Sequence, residues 1–182
     1  MGETKDAYAV ALIFNGEVEK ALAGLHRDFQ QYVTYTLVPH ITLVYPFTPA
    51  GGIESVIHRL DDIGKSHRPF RLTLEGIKYF ETVNNVAYVA VKEQEALKAF
   101  VDTIVKSIRG VITGYYAEKD YDPAHYIPHL TIGEKIPHDV FPEVKKRFAD
   151  YPISHECEIT RFTLAGEADG QWETLKVFRL EG

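Results

Sequence analysis

One five-residue string occurs twice in this chain. Pro39-His40-Ile41-Thr42-Leu43 returns as Pro128-His129-Leu130-Thr131-Ile132, the two histidines 89 positions apart and so close to half the chain. Alternation after a proline predicts a strand beginning at each histidine. Strand side chains point to opposite faces in turn. His40 and Thr42 therefore share one face, and Ile41 and Leu43 share the other. His129 and Thr131 are separated from Leu130 and Ile132 in the same way. The apolar face must go to a core, which leaves the His and Thr face open or lining a cleft.

That open face has a chemical use. Histidine is the side chain that titrates near neutral pH, and two of them across a cleft can serve as base and acid in one turnover. A threonine two residues along can hydrogen-bond a non-bridging phosphate oxygen. A phosphodiester placed between the pair needs no metal and no cofactor. One His-x-Thr string would be a weak signal. Two copies, each after proline and with matched parity, make a strong one.

The rest of the chain alternates strand and helix patterns. Tyr8 to Phe14 reads as a buried strand. Val18, Leu22, Leu25 and Phe29 recur at helical spacing. His40 to Phe47 is a strand bounded by prolines. Ile53 to Ile63 is a second helix, Phe70 to Leu74 and Val86 to Val91 are strands, and Leu97 to Ile108 is a third helix stopped by Gly110. His129 to Ile136 is a strand. Asp139 can cap a short helix that buries Val140, Val144 and Phe148. Ile159 to Ala165 and Trp172 to Leu180 flank Asp169-Gly170, a hairpin signal. The expected class is α+β, with antiparallel sheet and helices on one face, in a single domain over residues 1–182. The least regular stretch, Gly114 to Pro128, holds Tyr115, Tyr116, Tyr121 and Tyr126.

Composition narrows the partners. Twenty basic against 26 acidic residues give a net charge of −6, and a protein that tracks duplex phosphates usually carries a basic surface. A small phosphate ligand remains compatible. No apolar run approaches the ~18 residues of a membrane span, and the N-terminus carries neither a signal-peptide pattern nor a myristoylation signal. Cys157 is the single cysteine, so no internal disulfide can form, and a cytoplasmic monomer is the expectation.

With both motifs quoted, the sequence resembles the two-histidine phosphoesterases of the 2′-5′ RNA ligase-like branch, whose signature is a pair of His-x-Thr/Ser-x strings. The resemblance spans nearly the whole chain. It implies a bilobal α+β fold, two related lobes about a pseudo-twofold with one motif strand from each facing a central cleft. It implies action on 2′,3′-cyclic or 2′-5′ phosphodiesters in a nucleotide or short RNA end, usually without metal. It implies His40 and His129 as the acid/base pair and Thr42 and Thr131 as phosphate holders. Some members carry arginine five residues after the second histidine. This chain has Glu134 there, and Lys135, on the His129 face by strand parity, would supply the cation. A binding module for RNA ends or cyclic nucleotides, and a 2′-5′ RNA ligase, are the alternatives.

Other candidates carry less. Tyr126, in the loop entering the second motif, could stack on a base. His125 and His129 have the spacing of a helical zinc pair, but Pro128 lies between them and no helical period surrounds them. His26, His58 and His67 read as solvated helix residues, and His138 and His155 as loop-edge residues. Gly51-Gly52 lacks the Lys-Ser/Thr of a P-loop. Cys157 reads as packing. Tyr45 and Phe47 fall on the core face by parity. Lys145-Lys146-Arg147 reads as a solvated helix face.

Overall fold

The alternating runs pair into sheet and the amphipathic runs cover one side of it. A computed structural model describes residues 5–32, 38–114 and 125–182. Among these, the strands are β1 (Ala7–Ile13), β2 (His40–Pro49), β3 (Phe70–Phe80), β4 (Asn85–Val91), β5 (Ile112–Thr113), β6 (His129–Ile136), β7 (Ser154–Ile159), β8 (Arg161–Ala168) and β9 (Gln171–Arg179). The helices are α1 (Glu17–Phe29), α2 (Ile53–Ser66), α3 (Glu95–Ile108) and α4 (Phe141–Phe148). The strand order is β7-β3-β4-β6-β2-β1-β8-β9, with the short β5 beside β2. Every pairing is antiparallel. The fold is α+β.

That order is close to a palindrome. β6 and β2 meet at the centre. β4 flanks one as β1 flanks the other, and β3 and β8 follow outward. α1 joins β1 to β2, and α3 lies between β4 and β6. The two motif strands are thus neighbours in one sheet, each at the inner edge of its own half of the sheet: β4, β3 and β7 lie beyond β6, and β1, β8 and β9 lie beyond β2. They lie side by side where the two halves of the sheet meet.

Each helix lays an apolar stripe on the same face of the sheet. Val18, Leu22, Leu25 and Phe29 of α1 are buried, and Phe29 stacks on Phe148 of α4 with ring centroids 4.1 Å apart. The stripe of α3, Leu97 to Ile108, is buried as well. Such side chains contribute about 1.5–3 kcal/mol each. α2 approaches β9 so closely that a Cβ on Gly64 would stand 2.6 Å from the Arg179 carbonyl oxygen. The β8–β9 turn is the two-residue type that needs positive φ at both positions, here Asp169 at 53° and Gly170 at 76°.

The structure corrects several local expectations. β3 continues to Phe80, well beyond Leu74. Asp139 does not cap α4: Val140 is the N-cap residue, no side chain caps the helix, and Pro142 lies in its first turn. Tyr45 is not on the core face. The β1–β2 register steps from Ala11–Thr42 to Val10–Val44, a bulge that buries Val44 and leaves Tyr45 39% exposed, while Phe47 stays buried. His67 packs on Phe70 and Phe100, and burial lowers its pKa, as it does for His26. Tyr115, Tyr116 and Tyr121 lie outside the described residues.

Candidate functional site

The seam between β2 and β6 is where both motifs meet. Ile41 pairs with Leu130, and both are fully buried under the helices. In an antiparallel pair this register sets His40 opposite Thr131 and Thr42 opposite His129. All four lie on the face away from the helices and all are half-buried. The two histidines are diagonal neighbours, about 7–8 Å apart along the backbone. They feel each other's charge: a proton on His40 disfavours one on His129.

Each imidazole is fixed by its own strand entry. His40 Nδ1 donates to the Val38 carbonyl at 2.9 Å and His129 Nδ1 donates to the Ile127 carbonyl at 2.7 Å. A carbonyl can only accept, so Nδ1 carries the hydrogen in both rings. That leaves Nε2 of each ring for the open face, as a lone pair when neutral and as a donor when protonated. The proline between each carbonyl and its histidine favours the extended backbone that forms this contact.

The two halves differ in what surrounds the rings. His129 is packed edge-on by Phe80, with centroids 5.1 Å apart, and by Tyr88 at 5.4 Å. These two stack on each other at 4.3 Å. Burial there lowers the His129 pKa, the Ile127 carbonyl raises it, and the His40 charge lowers it again. Among the described residues no aromatic ring packs on His40. The positions corresponding to Tyr88 and Phe80 in its half, by register, are Ala11 and Ala165. Neither aromatic was legible in the sequence, because β3 and β4 reach the site only through sheet pairing.

Tyr126 is brought to the site in a different capacity from stacking. It is buried, 6% exposed, and its hydroxyl donates to the Thr42 carbonyl at 2.8 Å. It ties the entry of the second motif to the backbone of the first. Lys135 does not follow simple parity. The β4–β6 register shifts between Tyr88–Thr131 and Ala87–Gly133 and again before Asn85–Ile136, so alternation from His129 breaks twice. Lys135 adopts φ 55° and is exposed, its ammonium 4.0 Å from Glu134. A cation that parity missed is Lys78, which pairs with Tyr88. Tyr88 in turn pairs with Thr131, so Lys78 lies on the open face.

Other side chains have structural work. His138 accepts from Asn85 Nδ2 at 3.1 Å, and the same buried amide donates to the Ile136 carbonyl. Cys157 packs against the core, and burial, with Glu156 beside it, pushes its pKa to about 11. Lys145 pairs with Glu81. His125 lies in no α-helix with His129. Among the described residues no three His, Cys, Asp or Glu side chains gather to hold a metal ion, and no helix is long and apolar enough to cross a membrane.

An α+β sheet with paired His-x-Thr strands at its centre defines the class of protein. The sequence profile of the 2′-5′ RNA ligase superfamily matches residues 16–171, and the chain belongs to that superfamily. A protein of Bacillus anthracis with the provisional name phosphoesterase is 32% identical over 161 residues, 86% of this chain and 87% of its own. One of Halalkalibacterium halodurans, similarly named, is 29% identical over 176 residues, 95% of this chain and 96% of its own. In fold the chain is similar to TT0787 of Thermus thermophilus, with a TM-score of 0.71 at 17% identity, covering 97% of this chain and 98% of the other. It is also similar to Escherichia coli LigT complexed with 3′-AMP, with a TM-score of 0.69 at 13% identity, covering 98% and 100%.

Proposed function

We propose that this phosphoesterase hydrolyses a 2′,3′-cyclic or 2′-5′ phosphodiester in a nucleotide or RNA end, by general acid–base catalysis that requires no metal. The Ile41–Leu130 pairing carries the reading, because it sets each histidine across from the other motif's threonine, and with each Nδ1 held by a backbone carbonyl the Nε2 of both rings is left for substrate. His129 is the base. Its aromatic enclosure favours the neutral ring, whose Nε2 takes a proton from the attacking water. His40 is the acid, and its Nε2 proton goes to the departing ribose oxygen. As the phosphorus becomes five-coordinate, negative charge grows on its non-bridging oxygens. The Thr42 and Thr131 hydroxyls donate to them there. Lys78, on the open face through the Lys78–Tyr88–Thr131 register, adds a point charge and not a bidentate clamp.

The complexes of E. coli LigT with 3′-AMP and NADP+ support a nucleotide-sized ligand for this fold. The test is incubation with adenosine 2′,3′-cyclic phosphate in excess EDTA, with release of a single AMP isomer expected. Tight binding without turnover would favour the RNA-end binding module. Activity lost in EDTA and restored by Zn²⁺ or Mg²⁺ would replace the two-histidine mechanism with metal-assisted hydrolysis. Joining of RNA ends in place of hydrolysis would assign the protein to the ligase side of the same chemistry.

A further inference from the structure

Two arginines stand on the open face of the sheet, and among the described residues neither has a carboxylate partner. Arg161 on β8 pairs directly with Arg179 on β9, and both are exposed. Like charges directly opposite on neighbouring strands are destabilising. The chain has carboxylates to spare, with a net charge of −6, and it uses them elsewhere: Arg71, Lys92 and Lys176 are each paired with an acid. Among the described residues neither Arg161 nor Arg179 forms an ion pair. Arg161 Nη2 donates to a neutral acceptor, Asn15 Oδ1, at 2.9 Å.

Their position gives this unbalanced charge a direction. His40 pairs with Ile13 of β1. β1 pairs with β8 through Ala11–Thr163, and two residues further along that register Arg161 is level with Ile13. His40, Ile13, Arg161 and Arg179 therefore form one row across the sheet, on the face that carries the motifs. At the usual strand spacing, Arg161 is about 10 Å from His40 and Arg179 about 14 Å. The floor beside this row is low, made of Ala11 and Thr163, so a ligand can lie along it. The other half has Phe80 and Tyr88 rising in the corresponding place.

We propose that Arg161 and Arg179 form an anion subsite for a second phosphate, one carried by the nucleotide or RNA end whose phosphodiester lies between His40 and His129. The inference rests on the function proposed above and narrows it. The preferred substrate carries a further phosphate on the His40 side and is not a simple nucleoside cyclic monophosphate.

Equilibrium binding tests this without turnover. Calorimetry at low salt compares adenosine 3′-monophosphate with adenosine 3′,5′-bisphosphate. The wild type binds the bisphosphate at least about tenfold more tightly, and the ratio shrinks as salt screens the arginines. In Arg161→Gln/Arg179→Gln the ratio falls to about one, and the melting temperature does not fall, because a repulsive pair has been removed. The single Arg179→Gln variant reads the same ratio should the double variant fail to fold. Equal affinities in the wild type, or a ratio that survives in the variant, overturn the subsite. Hydrolysis of the cyclic phosphate is measured alongside. Turnover with a ratio of one removes the subsite alone, whereas neither turnover nor binding removes the phosphoesterase reading with it.

Discussion

Ile41 and Leu130 sit directly opposite one another at the seam of the sheet, and that single pairing organises the site. It makes the two halves of the sheet meet at equivalent residues. It puts His40 across from Thr131 and Thr42 across from His129. A slip of one residue would turn one strand's histidine and threonine into the core. The fully buried Ile41 and Leu130 make such a slip costly.

Tyr126 should act through position and not through contact with substrate. Its hydroxyl holds the Thr42 carbonyl. Tyr126→Phe keeps the ring and removes the donor, at a cost of about 0.5–1.5 kcal/mol in unfolding free energy. A lower kcat with little change in KM is expected, measured on the cyclic phosphate beside a denaturant melt. A large rise in KM with unchanged stability would mean that the ring binds substrate after all.

The acidic limb of the rate profile should belong to His129. As the base, it must be neutral, and its pKa is lowered, so neutral His129 persists to a pH below the ordinary ~6.5. Activity therefore falls as pH drops through that lowered value. That limb describes His129 as coupled to its neighbour across the seam. Phe80→Leu opens the enclosure, so the acidic limb should move up towards ~6.5. A limb that stays in place in a folded Phe80→Leu enzyme would show that the aromatic packing does not set it.

Cys157 should be inert in the folded protein. With its pKa at about 11, about one thiol in a thousand is ionised at pH 8. Labelling with a disulfide reagent at pH 8 should be slow in the native protein and fast in denaturant. Equal rates in the two states would contradict the packing described for this strand.

Much of this was legible from local pattern. The repeat, the amphipathic stripes of α1, α2 and α3, and the Asp169-Gly170 turn each follow from short-range rules, and the α+β class follows from their order. What escaped was set by pairing between distant strands. Bulges turned Tyr45 outward and broke the parity on which Lys135 was placed. Phe80 and Tyr88 reach His129 only because β4 lies beside β6. Lys78, Arg161 and Arg179 look like ordinary strand cations until the register aligns them with His40 and Thr131. β7 was missed because its Ser-His-Glu-Cys-Glu run carries almost no apolar alternation.

His40 and His129 are proposed to work as one acid–base unit. The most direct measurement is the turnover of adenosine 2′,3′-cyclic phosphate by His40→Ala, His129→Ala and the double variant in EDTA. Each single variant should lose roughly 10²–10⁴ in kcat with the fold retained, and the double variant should lose less than the product of the two. A folded double variant turning over near the wild-type rate would contradict it.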